Sequence, residues 1–399
     1  MNLNYTLKPG TRNLLFGLMA MGVLGLVYAF LAHVPGQRVW ANLLVNSYFF
    51  LGISVVGTLF VAIQYMAEAG WSAGFQRVPE AIGQFIPVAG LILLLVLIAG
   101  SHSLHLHHLY HWMDPSLTDP ASDHYDEIIA GKSAYLNEPF FYARAVIYIL
   151  GWFLITRAIR KASLAEDAEG GLRNYKKNVT LGAAFIIFYG VTSSTSAWDW
   201  VMSIDTHWFS TLFGWYNFST FWVTCLTLIA LFSIHLKNNG YFTHVNENHL
   251  HDLGKFMFAF SIFWTYLWFS QYMLYWYSNI PEEVTYFMDR FENYKVPFLA
   301  TLVLNFLAPL LLFMGRDAKR KQVVMSMIGV IIIIGHWLDV FVMIMPGTVK
   351  DGWGIGILEI GMFLGFLGAF LFVVLTALSK ASLVPKHHPF LNEAEHHHI

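Results

Sequence analysis

Two apolar stretches of this chain carry ionisable residues that an apolar setting does not tolerate without reason. One contains Gly335-His336-Trp337-Leu338-Asp339, and the other contains Glu359. A charge at membrane depth is costly, so such residues mark functional sites by default. At a rise of ~1.5 Å per residue, Asp339, six residues before Met345, and Glu359, six after Trp353, both lie about 9 Å below one surface on helices joined by a short turn. Arg144 enters its own apolar stretch from the same side to about 7.5 Å, which makes it the expected charge partner. His336 precedes Asp339 by three residues and shares its helical face. Asn46, Gln271 and the run Thr192 to Ser196 add uncharged polar groups on that side, and Asn305 reaches mid-membrane. Together they predict a water-accessible half-channel with Asp339, Glu359, His336 and Arg144 at its core. The structural reading of the same residues is a helix-registering ion pair with a histidine that satisfies it.

These residues need helices to position them, and the composition supplies those. Of 399 residues 56% are hydrophobic and 12% charged, against about 25% charged in a soluble domain. An all-α integral membrane protein follows, with about ten spans near the ~20 residues that cross a hydrocarbon core. They are Asn13 to Ala32, Ala41 to Met66, Ile82 to Gly100, Pro139 to Arg157, Asn178 to Trp198, Phe213 to Leu236, Gly254 to Trp276, Val296 to Phe313, Gln322 to Met345 and Ile355 to Ala377. The whole chain reads as a single polytopic domain. Of the 23 Lys and Arg residues, all but Arg38, Lys132, Arg144, Arg290, Lys295 and Lys350 fall on the side of the N-terminus. The positive-inside rule then places both termini in the cytoplasm. The first span has no small-residue cleavage site and reads as a retained helix.

Trp198, Trp200, Trp208, Trp215, Trp276 and Trp353 sit where spans end, as an interfacial aromatic belt does. The segment Ala197 to Trp208 reads as an amphipathic interfacial helix that keeps Asp199 and Asp205 near the surface. The acidic loop Ser278 to Tyr294 and the connector Arg157 to Lys177 read as solvated, and Gln64, Tyr65, Gln84, His235 and Lys255 as groups at helix ends.

Several cofactors are excluded. One cysteine, Cys225, cannot hold an iron–sulfur cluster or a c-type haem and reads as a small buried hydrophobe. Gly352, Gly354 and Gly356 lack the strand of a dinucleotide fingerprint and serve packing or a re-entrant turn. Only His336 is deep, which disfavours haem held by two histidines. His105, His107, His108 and His111 resemble one box of a membrane di-iron enzyme, but one tract is weak as a metal site and fits docking on another subunit better. The net charge of −2 gives no reason to expect nucleic acid.

The runs Val34 to Leu44, Ser196-Ala-Trp-Asp-Trp-Val-Met-Ser-Ile-Asp205, Gln271 to Glu283 and His336-Trp-Leu-Asp-Val-Phe-Val-Met-Ile-Met-Pro346 resemble the second of the two quinol-oxidoreductase membrane subunits of bacterial alternative complex III. The resemblance spans nearly the whole chain. It implies a fold related to polysulfide-reductase membrane subunits, with two four-helix bundles and flanking helices in the bacterial inner membrane. It further implies a respiratory complex that oxidises quinol through iron–sulfur clusters and c-type haems carried by other subunits. The implied partners are the homologous first membrane subunit, an iron–sulfur subunit, multihaem and monohaem cytochrome c subunits, lipid and a terminal oxidase. This chain would then be a scaffold and candidate proton-conducting or quinone-binding-like subunit without a redox centre of its own. The competing expectation is a secondary transporter with a midplane polar site. Such transporters show interrupted helices at matching positions of two halves, and the sequence shows no such pair.

Overall fold

In a computed structural model, which describes residues 4–102 and 109–398, the chain is all helical. Among the described residues the sole strand-like feature is one isolated bridge, Asn4 to Ser382, which brings the two chain ends together. Ten long helical segments among them follow the ten expected spans. They are α1 (Pro9–Leu31), α2 (Gly36–Met66), α3 (Ala73–Ser101), α4 (Glu138–Glu169), α5 (Arg173–Trp200), α6 (Leu212–Asn238), α7 (Glu247–Ser278), α8 (Lys295–Leu312), α9 (Gln322–Val349) and α10 (Ile357–Ser379). Nine of them, all but α7, are long and apolar enough to cross a membrane. Helix α7 has 32 residues, ample length, but its Trp, Tyr and polar side chains dilute its hydropathy.

Helix α2 is central, packing on α3, α5, α6, α9 and α10. Helices α6, α7, α8 and α9 pack on one another, and α3, α4 and α5 gather beside α2. Helix α1 lies against α10 through a glycine seam. A Cβ on Gly22 would stand 2.8 Å from the Gly365 backbone and one on Gly361 2.9 Å from the Met21 carbonyl. Small residues let helix backbones approach this closely where no hydrophobic drive exists between helices. The opposite face of α1 exposes Leu14, Val23, Leu24, Phe30 and Leu31.

Three boundaries depart from the expectation, each because burial reaches further than hydropathy. Helix α3 starts at Ala73 rather than Ile82, through short turns that bury Arg77 and Glu80. Helix α4 continues to Glu169, twelve residues past Arg157, so the supposed solvated connector buries Arg160, Ser163 and Glu166. The segment after Trp198 forms no interfacial helix either. Helix α5 runs on to Trp200 and a 3-10 turn spans Met202–Ile204, while Trp200 and Trp208 are each 1% exposed. Trp215 and Trp276 are exposed as a belt requires. Between α7 and α8 the loop is itself helical over Pro281–Glu292. His105, His107 and His108 lie outside the described residues, and His111 and His124 are exposed.

Candidate functional site

Asp339 is the centre of a buried polar site where α6, α7 and α9 meet. Its side chain accepts hydrogen bonds from the Tyr216 hydroxyl, from Thr220 Oγ1 at 2.9 Å and from Trp264 Nε1 at 3.0 Å. Thr220 and Trp264 also bond each other at 3.1 Å, so the donors are fixed independently of the carboxylate. Among the described residues no Lys or Arg pairs with Asp339, and the nearest basic nitrogen is His336 Nδ1 at 3.9 Å. That is too long for a hydrogen bond. Among the described residues neither His336 ring nitrogen has a hydrogen-bond partner, and the buried ring stands edge-on to Trp264 at 5.4 Å.

Helix α8 completes the enclosure. It is wound as a π-helix over Val303–Leu307, and Asn305 within it is fully buried with both amide atoms unpartnered. A Cβ on Gly335 would overlap the Asn305 amide oxygen, so the glycine one residue before His336 is what admits this side chain. Single π turns of this kind are frequent at functional sites. Gln271 is also buried on α7, with its Nε2 unpartnered.

Arg144 does not join this site. It grips Asp199 with two bonds, Nε to Oδ2 at 2.8 Å and Nη2 to Oδ1 at 2.9 Å, and donates to the Tyr135 carbonyl at 3.0 Å. The rings of Tyr135 and Phe140 cover it at 4.0 and 4.2 Å. The expected pairing was wrong because α4 packs on α5 rather than on α9 or α10. Asp199, expected near the surface, is 0% exposed and holds the guanidinium there.

Glu359 likewise has its own cation. Arg38 Nε donates to it at 2.8 Å, Asn42 Nδ2 at 3.0 Å and the Gly356 amide at 2.8 Å, the last capping the start of α10. Arg38 also ties the Gly354 carbonyl at 2.9 Å, which gives the glycine run a structural use. From Glu359 a ladder climbs α2, since Asn46 Nδ2 donates to the Asn42 carbonyl at 2.9 Å and Trp337 Nε1 to Asn46 Oδ1 at 3.1 Å. Asp339 and Glu359 are therefore linked through α2 and Trp337 and do not touch directly.

Asp205 lines a cavity of about 30 Å³ with Asp289, Arg290, Tyr286 and Met343, room for about two waters. Burial pushes the Asp205 carboxyl up from its ordinary range, against the pull of Arg290 and His207. Arg290 is 3% exposed, stacks on Tyr286 at 3.3 Å and donates to the Tyr286 and Met343 carbonyls at 2.7 and 3.2 Å. Phe213 lines this cavity and packs on Tyr216, ring centroids 6.3 Å apart. The Asp205 cavity is thus one side chain away from the Asp339 site. A second cavity, about 20 Å³, lies among Tyr48, Trp152, Tyr189, Trp200, Asn217 and Phe221.

Reading the charges by side alone overlooked a second buried cluster at the end that carries the chain termini. Glu80 accepts from Arg77 at 2.8 Å, Arg160 at 2.9 Å, Ser163 at 2.6 Å and Gln76 at 2.9 Å. Asp167 takes the other arm of Arg77 at 2.5 Å. Tyr65, expected at an interface, is buried and bonded by Gln76 at 2.7 Å. The spacing Arg77 to Glu80, three residues on one helix face, was the available signal.

Among the described residues no group of three His, Cys, Asp or Glu side chains is arranged to hold a metal ion. Cys225 is buried and free. Compared with models of known protein families and with curated proteins, the chain matches none.

Proposed function

We propose that the chain is a membrane subunit of a respiratory quinol:cytochrome c oxidoreductase of the alternative complex III kind, acting as a scaffold that conducts protons through Asp339. The runs Val34 to Leu44, Ser196 to Asp205, Gln271 to Glu283 and His336 to Pro346 support complex membership, and the bias of Lys and Arg to one side supports cytoplasmic termini. Packing of α6 to α9 together, and of α3 to α5 beside α2, is compatible with two four-helix bundles flanked by α1 and α10. On this reading the membrane is the bacterial inner membrane, and quinol chemistry, iron–sulfur clusters and haems belong to partner subunits.

The observation that carries the proton role is the setting of Asp339. A carboxyl placed to staple helices takes a cation, as Asp199 takes Arg144 and Glu359 takes Arg38. Among the described residues the hydrogen bonds to Asp339 come from neutral donors and no Lys or Arg pairs with it, so proton gain is a means of neutralising it. In the resulting relay, Tyr216 and Thr220 stabilise the ionised form and Trp264 holds the carboxylate in register. Water reaching the Asp205 cavity would exchange protons on the periplasmic side. The proton role needs no quinone bound to this chain.

The test of membership is purification from native membranes through a tag on this chain, followed by a haem stain. Co-purifying haem-bearing subunits support the proposal, and recovery of this chain alone contradicts it. The transporter reading gains nothing from the fold. Among the described residues α3 carries 3-10 turns and α8 a π turn; both are the third helix of a five-helix half, but the distortions differ in kind and leave each helix continuous rather than interrupted.

A further inference from the structure

The cluster at the terminal end contains a carboxyl that its ion pairs leave out. Arg77 and Arg160 are matched by Glu80 and Asp167, two cations against two anions. Glu166, beside them on α4, is 2% exposed, and among the described residues neither of its buried carboxyl oxygens has a hydrogen-bond partner. No basic nitrogen lies within ion-pair distance of it among the described residues. An isolated carboxylate in such a place costs far more than a neutral polar group, and in practice the group takes up a proton instead.

The chain's own C-terminal segment covers this place. The Lys386 amide donates to Asp167 Oδ1 at 2.8 Å, and His387 Nδ1 lies 3.2 Å from the Glu166 carbonyl oxygen. His388 is buried against Tyr65 and Tyr175, centroids 5.9 and 5.5 Å away. Further along, His397 bonds Asp252 at 2.8 Å and Asn246 donates to the His397 carbonyl at 2.8 Å. The tail is thus fastened at two places, near the end of α4 and near the start of α7.

We propose that Glu166 is a proton-exchanging carboxyl, neutral at rest, whose access to water is governed by the docked segment 386–398. The charged and titratable groups around it are Arg77 and Glu80 from α3, Asp167 from α4, and Tyr65 and Tyr175 from α2 and α5; Arg160 is bound to Glu80, and Lys386, His387 and His388 of the tail lie on Asp167, the Glu166 backbone and the two tyrosines. When the segment lifts, Glu166 meets water and releases its proton, leaving the cluster with one anion more than its two arginines match. When it docks again, the proton returns. The physiological use of this step rests on the proton-conducting reading, but its chemistry does not.

The test uses dicyclohexylcarbodiimide, an apolar reagent that attacks protonated carboxyls, on the purified full-length chain in detergent. Peptide mass spectrometry should find the adduct on Glu166, with Glu80 and Asp167 unlabelled and the adduct absent from Glu166→Gln. With a water-soluble carbodiimide the intact chain should label weakly at Glu166, and His388→Asp, which undocks the tail without shortening it, should label several-fold more. An unlabelled Glu166 in folded protein, or one labelled no more than Asp167, would overturn the proposal. So would equal labelling by the water-soluble reagent with the tail docked and undocked. Because the readout is an adduct on this chain, it stands apart from whether haem subunits co-purify.

Discussion

Replacing Arg144 by Met separates the observed pairing from the one that depth alone suggests. The guanidinium makes two charge-assisted bonds to Asp199 at 2.8 and 2.9 Å, each worth about 1.5–3 kcal/mol. Its loss leaves behind a carboxylate that is 0% exposed, with the hydroxyls of Tyr135 and of Tyr148, the latter at 3.4 Å, as neutral donors. Breaking a buried pair from one side costs about 3–5 kcal/mol, largely through the charge left unpaired. Arg144→Met and Asp199→Asn should each lower the melting temperature in detergent and the folded yield, and the double variant should recover part of the loss. The interaction energy from that cycle should reach about 2 kcal/mol or more. Cycles of Arg144→Met with Asp339→Asn or Glu359→Gln should be additive within about 0.5 kcal/mol, since those residues share no partner with Arg144. Coupling of Arg144 to Asp339 as strong as to Asp199, read by unfolding in graded denaturing detergent, would refute the geometry.

Three further outcomes follow from other places in the fold. Gly335→Ala should destabilise the chain by about 1–3 kcal/mol through overpacking, because its Cβ would overlap the Asn305 amide, and Asn305→Ala should restore much of the loss in a thermal-shift series. Gly365→Leu should detach α1 from α10, since there is no room beyond the Gly22 Cα, and cross-linking between cysteines at positions 18 and 368 should report the separation. Burial pushes His388 down to about 4 from 6.5, so the docked tail favours the neutral ring. That contribution is complete above pH ~6.5 and is lost as pH falls toward 4. Hydrogen exchange over residues 386–398 should therefore accelerate through this window in the native chain and stay flat in His388→Phe.

The long helices are legible in the sequence, nine of them among the described residues long and apolar enough to span, because a membrane span must satisfy its backbone internally and present apolar side chains, a demand written in consecutive residues. Ion-pair partners are not written that way. Depth placed Arg144 level with Asp339 and Glu359, yet which helix faces which is set by packing, and α4 turns its arginine to α5. The capping glutamate was legible as an ionisable residue at the start of α10 but its cation was not, since Arg38 is distant in sequence and was counted as a loop charge. The Glu80 cluster escaped notice for a related reason. In sequence Arg77 and Arg160 look like surface charges that set orientation, and it is the tertiary contact with Glu80 and Ser163 that buries them. Asp339 and His336 stand out in the sequence as ionisable residues inside an apolar stretch, and both are buried, whereas Tyr216, Thr220 and Trp264 look in sequence like ordinary helix residues.

Asp339 must hold and release a proton if the chain conducts one. The direct measurement is proton release coupled to quinol oxidation in vesicles reconstituted with the assembled complex, comparing native chain with Asp339→Asn and normalised to complex recovered. An amide keeps the shape and loses the titration. The Thr220–Trp264 bond at 3.1 Å keeps the donors ordered, so assembly should survive while protons released per quinol fall. Native proton stoichiometry in a fully assembled Asp339→Asn complex would contradict the relay, leaving Asp339 a structural acceptor for its three donors.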